Sequence, residues 1–225
     1  MNNILAMFTD TSHGNLAYHV GDDKTNVDNN RKKLAKKLNY KYEDLVYMNQ
    51  VHGNHVQVVT KDSPKLIDNC DGLITNEKDL ALMVMVADCI PILLHDKKAG
   101  VIAALHAGRN STFQKIVQVA LDIMTKQFDC KAQDIKAILG PSIQKCCYEV
   151  SVEMANIVAS NFGSEFVEGR YIDLQGINRS ILESNGVTNI EISPTCTQCS
   201  NKPYYSYRKD NKTGRFAGII MNNSW

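Results

Sequence analysis

The stretch LALMVMVADCIPILLHDKKAGVIAALHAG, from Leu80 to Gly108, decides the fold. It reads as three β-rich runs in immediate succession, LALMVMVAD, IPILLHD and GVIAALHAG, with turn chemistry at Lys97 to Gly100 between the last two. In the first run Leu80, Leu82, Val84 and Val86 alternate with Met83 and Met85, so the strand packs on both faces. Pro91 bars a helix directly after it. Strands that follow one another without a helix reject a simple alternating βαβ fold and imply an α+β class.

Working outward, ILAMF opens as a strand, and KTNVDNNRKKLAKKL from Lys24 reads as a helix. Thr25 and Asp28 lie near its start, and Val27, Arg31, Leu34 and Leu38 form one stripe. LVYMNQ and HVQVV are further strands before the central stretch. Beyond it, one long helix is expected from Asn110 to Phe128, opened by a Ser111–Gln114 capping box, with Phe113, Ile116, Val117, Ala120 and Met124 at helical spacing. IKAILG returns as a strand; Ser151 to Phe162 and Asp173 to Asn185 read as helices ended by Gly163 and Gly186; NIEIS and RFAGIIM are late strands. No linker or repeat interrupts this order, so a single domain spanning residues 1–225 is expected.

Charge narrows the function classes. Lys plus Arg, 25, balance Asp plus Glu, 24, and no basic block appears, so neither nucleic acid nor a membrane surface is an expected partner. MNNILAMFTD lacks a cationic leader and its apolar run is short, and the seven cysteines make an odd number; a cytoplasmic location with reduced thiols is expected. No dinucleotide fingerprint or Walker motif calls for NAD or ATP.

Three short segments carry the chemistry: QVHG with His52, ADCIPILLHD with Cys89, and ALHAGRNST with His106. Each lies at a strand end or a glycine-containing turn, where a rigid sheet aims a side chain into a cleft. Two imidazoles and one thiolate form a ligand set for zinc that leaves the fourth position open for water or substrate, as catalytic sites do. The same atoms admit a second reading, with Cys89 as a nucleophile and His106 as its base. Asp88 and Asp71 are the nearest carboxylates in sequence for orienting ligands; Cys89, His106 and Asp88 are the expected catalytic residues. His13, His19, His55 and His95 read as solvated or packed, with His19 in a loop that could cover a pocket. Cys196 and Cys199 form a Cys-x-x-Cys without a second pair at ribbon spacing, since Cys146 and Cys147 are adjacent, so no structural zinc is expected there. The turn at Gly108 places backbone N–H groups beside Arg109 as an anion cradle or an ordinary helix cap.

The segments QVHG, ADC-x-P, HAGR, LGPSIQKCCYEV (Leu139 to Val150) and SYRKDNKTGR (Ser206 to Arg215) resemble the laccase-domain, or polyphenol oxidase-like, family across nearly the whole chain. That resemblance implies two β-sheets packed between helices, an α-β-β-α sandwich. It also implies a zinc-dependent purine nucleoside phosphorylase acting on adenosine or inosine with phosphate, with adenosine deamination as a companion activity. Substrate contacts are then expected from Arg31, Arg109, Tyr207, Arg208 and Arg215. The sequence departs from the family's usual pattern at Arg109, where a tryptophan is common, and at Thr11, where an arginine is usual. The older multicopper label fits poorly, because six histidines with no His-x-His pair cannot build a trinuclear cluster; a single copper remains an alternative to zinc. A non-catalytic metal-binding module is the reading from a different class, and oligomeric state is left open.

Overall fold

The three runs of the central stretch do form three strands, but they are shared between two sheets. The structure, a computed structural model, describes residues 3–224, so residues 1, 2 and 225 of the expected domain lie outside the described residues. The first half of the chain runs β1 (Asn3–Phe8), α1 (Lys24–Leu38), β2 (Leu45–Met48), β3 (Val56–Val58), β4 (Leu66–Ile67) and β5 (Gly72–Thr75). The central stretch supplies β6 (Ala81–Val86), β7 (Ile90–Asp96) and β8 (Val101–Ala107), followed by α2 (Arg109–Phe113) and α3 (Ile116–Phe128). The remainder is β9 (Ile135–Leu139), α4 (Val152–Asn161), β10 (Val167–Glu168), β11 (Tyr171–Ile172), α5 (Leu174–Ser184), β12 (Asn189–Ile192) and β13 (Phe216–Asn223).

Five strands form one mixed sheet in the order β1-β13-β6-β2-β4, and six form a second in the order β12-β9-β7-β8-β5-β3. Within the first, β13 pairs antiparallel with both β1 and β6, in registers that set Asn3 opposite Asn223 and Phe216 opposite Val86. Strand β6 therefore belongs to one sheet and its successor β7 to the other, and the chain changes layers at Asp88 and Cys89.

The alternation read in β6 places its side chains in two different cores. Leu82, Val84 and Val86 enter the layer between the sheets, against Leu93, Ile102, Ala104, Phe216 and Ile220. Met83 and Met85 face outward beneath α1, against Leu34, Ala35 and Ile219. On the far side Ile116, Val117 and Met124 of α3, with Ile177 and Leu182 of α5, cover Ile92, Leu94, Ala103 and Leu105. The result is an α+β domain with the α-β-β-α layering that the family resemblance implied. Full burial of each such aliphatic side chain contributes about 1.5–3 kcal/mol, enough for these three layers to override weak local preferences.

One helix expected from the sequence is two. The run from Asn110 breaks after Phe113, and Lys115 takes a left-handed backbone, φ 55°, before α3 begins. The Ser111–Gln114 capping box does not form: α2 starts from Gly108 with no side-chain cap, and the Ser111 hydroxyl is buried without a partner. Distant residues stabilise the break, since the Asn54 amide donates to the Gln114 carbonyl and the Asn178 amide to the Thr112 hydroxyl. Such contacts have no signature in a local window. Among the described residues no helix is long and apolar enough to cross a membrane.

His95 sits inside β7, 8% exposed, with Nδ1 buried and unpartnered. Burial pushes its pKa down to about 4, and Lys136 and Lys97 reinforce the shift against Asp96 and Glu191. Because the folded value lies below the ordinary value of 6.5, the unfolded chain binds this proton more tightly. Stability is thus unaffected above pH 6.5 and falls as pH drops toward 4, by about 3 kcal/mol in all from this one group. Urea unfolding of the parent and of His95→Gln should show similar midpoints at neutral pH and a smaller acid loss in the variant; parallel pH profiles would refute this account.

Candidate metal and substrate site

His52, Cys89 and His106 reach one point from three elements. His106 is the penultimate residue of β8, Cys89 lies in the crossing between β6 and β7, and His52 occupies the loop after β2. Their ligand atoms lie within 4.8 Å of one another; Cys89 Sγ is 3.9 Å from His52 Nε2, and the two imidazoles meet edge to face at 4.7 Å. Zinc–sulfur and zinc–nitrogen bonds of about 2.3 and 2.0–2.1 Å at a tetrahedral angle require a separation of about 3.6 Å, so the donors stand close to the spacing that the ion needs.

Asp71, fully buried, organises this triad. One carboxylate oxygen lies 2.8 Å from His106 Nδ1 and accepts from the backbone N–H of His52 at 2.9 Å, while the other accepts from Gly53 at 2.8 Å and Val51 at 3.2 Å. The contact at Nδ1 leaves His106 Nε2 as the nitrogen that could ligate a metal. The backbone contacts hold His52 in a left-handed conformation, φ 61°, that a non-glycine residue adopts only when its surroundings enforce it. Burial alone would raise the Asp71 pKa, but the His106 and backbone hydrogen bonds hold it below the usual carboxylate value. Burial likewise pushes the Cys89 thiol up, yet the attraction of His106 outweighs it and brings the pKa down to about 6. His106 responds in kind: burial lowers it, while Cys89 and Asp71 raise it to about 9. Gly108 completes the fit, because a Cβ there would stand 3.0 Å from Cys89 Sγ and 3.1 Å from the His52 ring.

These three residues form the floor of a cavity of about 460 Å³, within the range of small-molecule sites. Met85, Val86, Ile143 and Leu174 give it apolar walls, Tyr148 and Tyr207 add aromatic rings, and Arg109, Arg208 and Arg215 line it with three guanidinium groups. Arg109 Nε is buried and has no hydrogen-bond partner among the described residues. Arg208 stacks over Tyr148 at 5.4 Å and Arg215 over Tyr207 at 5.8 Å. His19 reaches the cavity from the early loop.

Of the expected site residues, Arg31 stands apart from the cavity and Asp88 lines it with both carboxylate oxygens engaged. Arg31 does not line the cavity: it is fully buried, donates from Nε to the Leu16 carbonyl, and lies between the rings of Tyr18 and Tyr47 at 4.3 and 4.0 Å. Its second contact, to Met85 Sδ, ties the loop carrying His19 to the underside of β6. Asp88 does line the cavity, but both its carboxylate oxygens are taken, one by the Thr197 hydroxyl at 2.6 Å and the other by the Arg208 N–H at 2.7 Å. Its left-handed backbone, φ 87°, marks the turn at which the chain changes sheets. Through these two bonds Asp88 braces the loop of Thr197 and the segment of Arg208. Of the other histidines, His55 is exposed, with Nδ1 3.0 Å from the Asn69 carbonyl, and His13 caps a short turn with Asp10.

The absence of a partner for Cys196 and Cys199 is also corrected. The sulfurs of Cys146 and Cys147 join theirs, and all four lie within 4.8 Å of one another. This four-cysteine cluster could bind a metal ion. Adjacent cysteines escape spacing rules because the turn after Gln144, with Cys147 and Tyr148 N–H groups both donating to the Gln144 carbonyl, presents two thiols to one point. Tyr148, a wall of the cavity, also escaped the sequence reading; its only signal was its place in the CCYEV segment.

Residues 8–223 match the model of the multi-copper polyphenol oxidoreductase laccase family. The chain belongs to that family. Among its relatives, a protein of Mycobacterium tuberculosis named purine nucleoside phosphorylase is 38% identical over 92% of this chain and 83% of its own length. Purine nucleoside phosphorylase YlmD of Geobacillus stearothermophilus is 33% identical over 92% of this chain and 82% of its own. The crystal structure of that YlmD superimposes with a TM-score of 0.90, covering 98% of this chain and 92% of the other at 31% identity. The Bacillus licheniformis protein YfiH gives 0.92, covering 98% and 93% at 29% identity. Despite the family's copper label, neither of the two donor clusters found among the described residues has more than two histidines.

Asp71→Asn removes one acceptor oxygen and turns an N–H₂ toward backbone donors. Metal affinity at the triad should fall by roughly 10- to 100-fold, the usual cost of losing a hydrogen bond behind a ligating histidine. Chelator competition measures it; unchanged affinity would deny Asp71 this role.

Proposed function

We propose that the chain is a zinc-dependent purine nucleoside phosphorylase, with zinc held by His52, Cys89 and His106. The observation that carries the reading is the opening of this His-Cys-His triad into a cavity that three guanidinium groups share. Family membership and the names of relatives over most of the chain support it.

In phosphorolysis a phosphate oxygen forms a bond to the ribose C1′ as the C1′–N9 bond breaks, and the purine leaves with the electron pair and takes up a proton. Phosphate brings negative charge into a pocket, and Arg109, Arg208 and Arg215 supply fixed positive charge with donors suited to its oxygens. Tyr148 and Tyr207 offer faces on which a purine can stack, and the aliphatic wall excludes water from the ring. His52, Cys89 and His106 would hold the zinc, which would supply Lewis acidity to the reaction. The chain's own task there is to keep Cys89 ionised, which His106 and His52 do against the cost of burial, and to keep His106 oriented, which Asp71 does.

Metal-loaded protein incubated with adenosine or inosine should release free base and ribose 1-phosphate only when phosphate is present. Equal base release in phosphate-free buffer would instead favour the Cys89–His106 hydrolase reading, which the lowered Cys89 pKa favours. Ammonia release from adenosine would add the deaminase activity. No turnover of any purine nucleoside would leave a metal-binding module.

The phosphate site is assigned to Arg109 on its unpartnered buried Nε. Losing a charge-assisted contact of about 1.5 to 3 kcal/mol in Arg109→Ala should weaken phosphate by roughly one to two orders of magnitude, with metal content and nucleoside KM little changed. Normal phosphate dependence in the variant would move the anion to Arg208 or Arg215.

A further inference from the structure

The four-cysteine cluster lies outside the catalytic cavity, and its geometry is that of a closed metal site. We propose that Cys146, Cys147, Cys196 and Cys199 bind a second zinc ion whose task is to clamp two loops that form one wall of the cavity.

The spacing supports this assignment. Four sulfurs at about 2.3 Å from zinc and at tetrahedral angles stand about 3.8 Å apart. Cys146 Sγ lies 3.8 Å from Cys147 Sγ and 3.7 Å from Cys199 Sγ, and all four sulfurs are within 4.8 Å of one another. Four thiolates with no fifth group fill the coordination sphere, which is the composition of a structural site, whereas the His-Cys-His triad leaves a position open.

Hydrogen bonds already bring the two loops together. The bridge of Ser142 with Cys196 is made by the Ser142 N–H on the Thr195 carbonyl at 3.4 Å and the Thr197 N–H on the Ser142 carbonyl at 3.0 Å, and the Gln144 amide donates to the Ser193 carbonyl at 2.9 Å. Each loop reaches the cavity. The first carries Ile143 and Tyr148, and the second carries Thr197, whose hydroxyl braces Asp88. An ion joining residues 53 positions apart therefore fixes the Tyr148 ring and the Asp88 brace together.

The test is metal stoichiometry on the full chain, purified reduced and loaded with zinc. The parent should hold two zinc ions; Cys146→Ser with Cys199→Ser should hold one, and His52→Ala with His106→Ala should also hold one. Because the two sites are emptied by different variants, failure here is distinguishable from failure of the proposed catalytic site. Cobalt substitution supplies a readout that does not depend on a folded variant. In the parent, the sulfur-to-cobalt charge-transfer band should have the intensity of five bound thiolates, against one for the triad alone. A cysteine variant that holds as much zinc as the parent overturns the proposal, whatever the triad holds. So does a mass lower by two hydrogens in unreduced protein, which would make the cluster a disulfide pair.

Discussion

The carboxylate of Asp71 is the contact on which the site depends. It is buried in the loop before β5, where it has no access to water, and an ionised group there survives only if every lone pair is answered. Three backbone N–H groups from residues 51–53 and the His106 ring answer them. Satisfying that one charge bends the His52 turn into its left-handed form and selects the His106 nitrogen that faces the cavity. A hydrogen-bonding requirement of folding thus sets the positions of two expected metal ligands at once.

Asp88 plays the matching part on the opposite side. Its backbone, like that of His52, occupies a region costing of order 1–3 kcal/mol for a non-glycine residue, and the bonds from Thr197 and Arg208 offset that cost. Asp88 places this strain beside Cys89, where the chain leaves one sheet for the other. The layer crossing lets a thiol that follows a buried strand emerge into a cavity instead of entering either core.

Much of this was legible from residue order. Alternation in β6 reported two packed faces, and both faces are found in separate cores; α1 occupies the span that its apolar stripe marked. The three triad residues were visible because each ends a strand or sits by a glycine. What stayed hidden depends on partners far away in sequence. The break before Lys115 rests on Asn54 and Asn178, the burial of Arg31 on Leu16, Tyr18 and Tyr47, and the cysteine cluster on two loops 53 residues apart. Arg31 shows the limit plainly: it lay on an apolar stripe and its charge suggested a ligand, whereas the stripe was the truer guide.

The insertion of β13 between β1 and β6 has a consequence for how the molecule is made. Its neighbours β1 and β6 are already in hand when residues 216–223 leave the ribosome, but β1 joins β6, β2 and β4 only through it, and the partner of Asn223 is Asn3. Pairings of such separation carry a large loop-closure entropy and come late in folding. Tyr207, Arg208 and Arg215 lie in the segment that leads into this strand. The cavity they line is therefore completed only after residues 216–223 have been made, so a nascent chain has no finished pocket until its sheet is sealed.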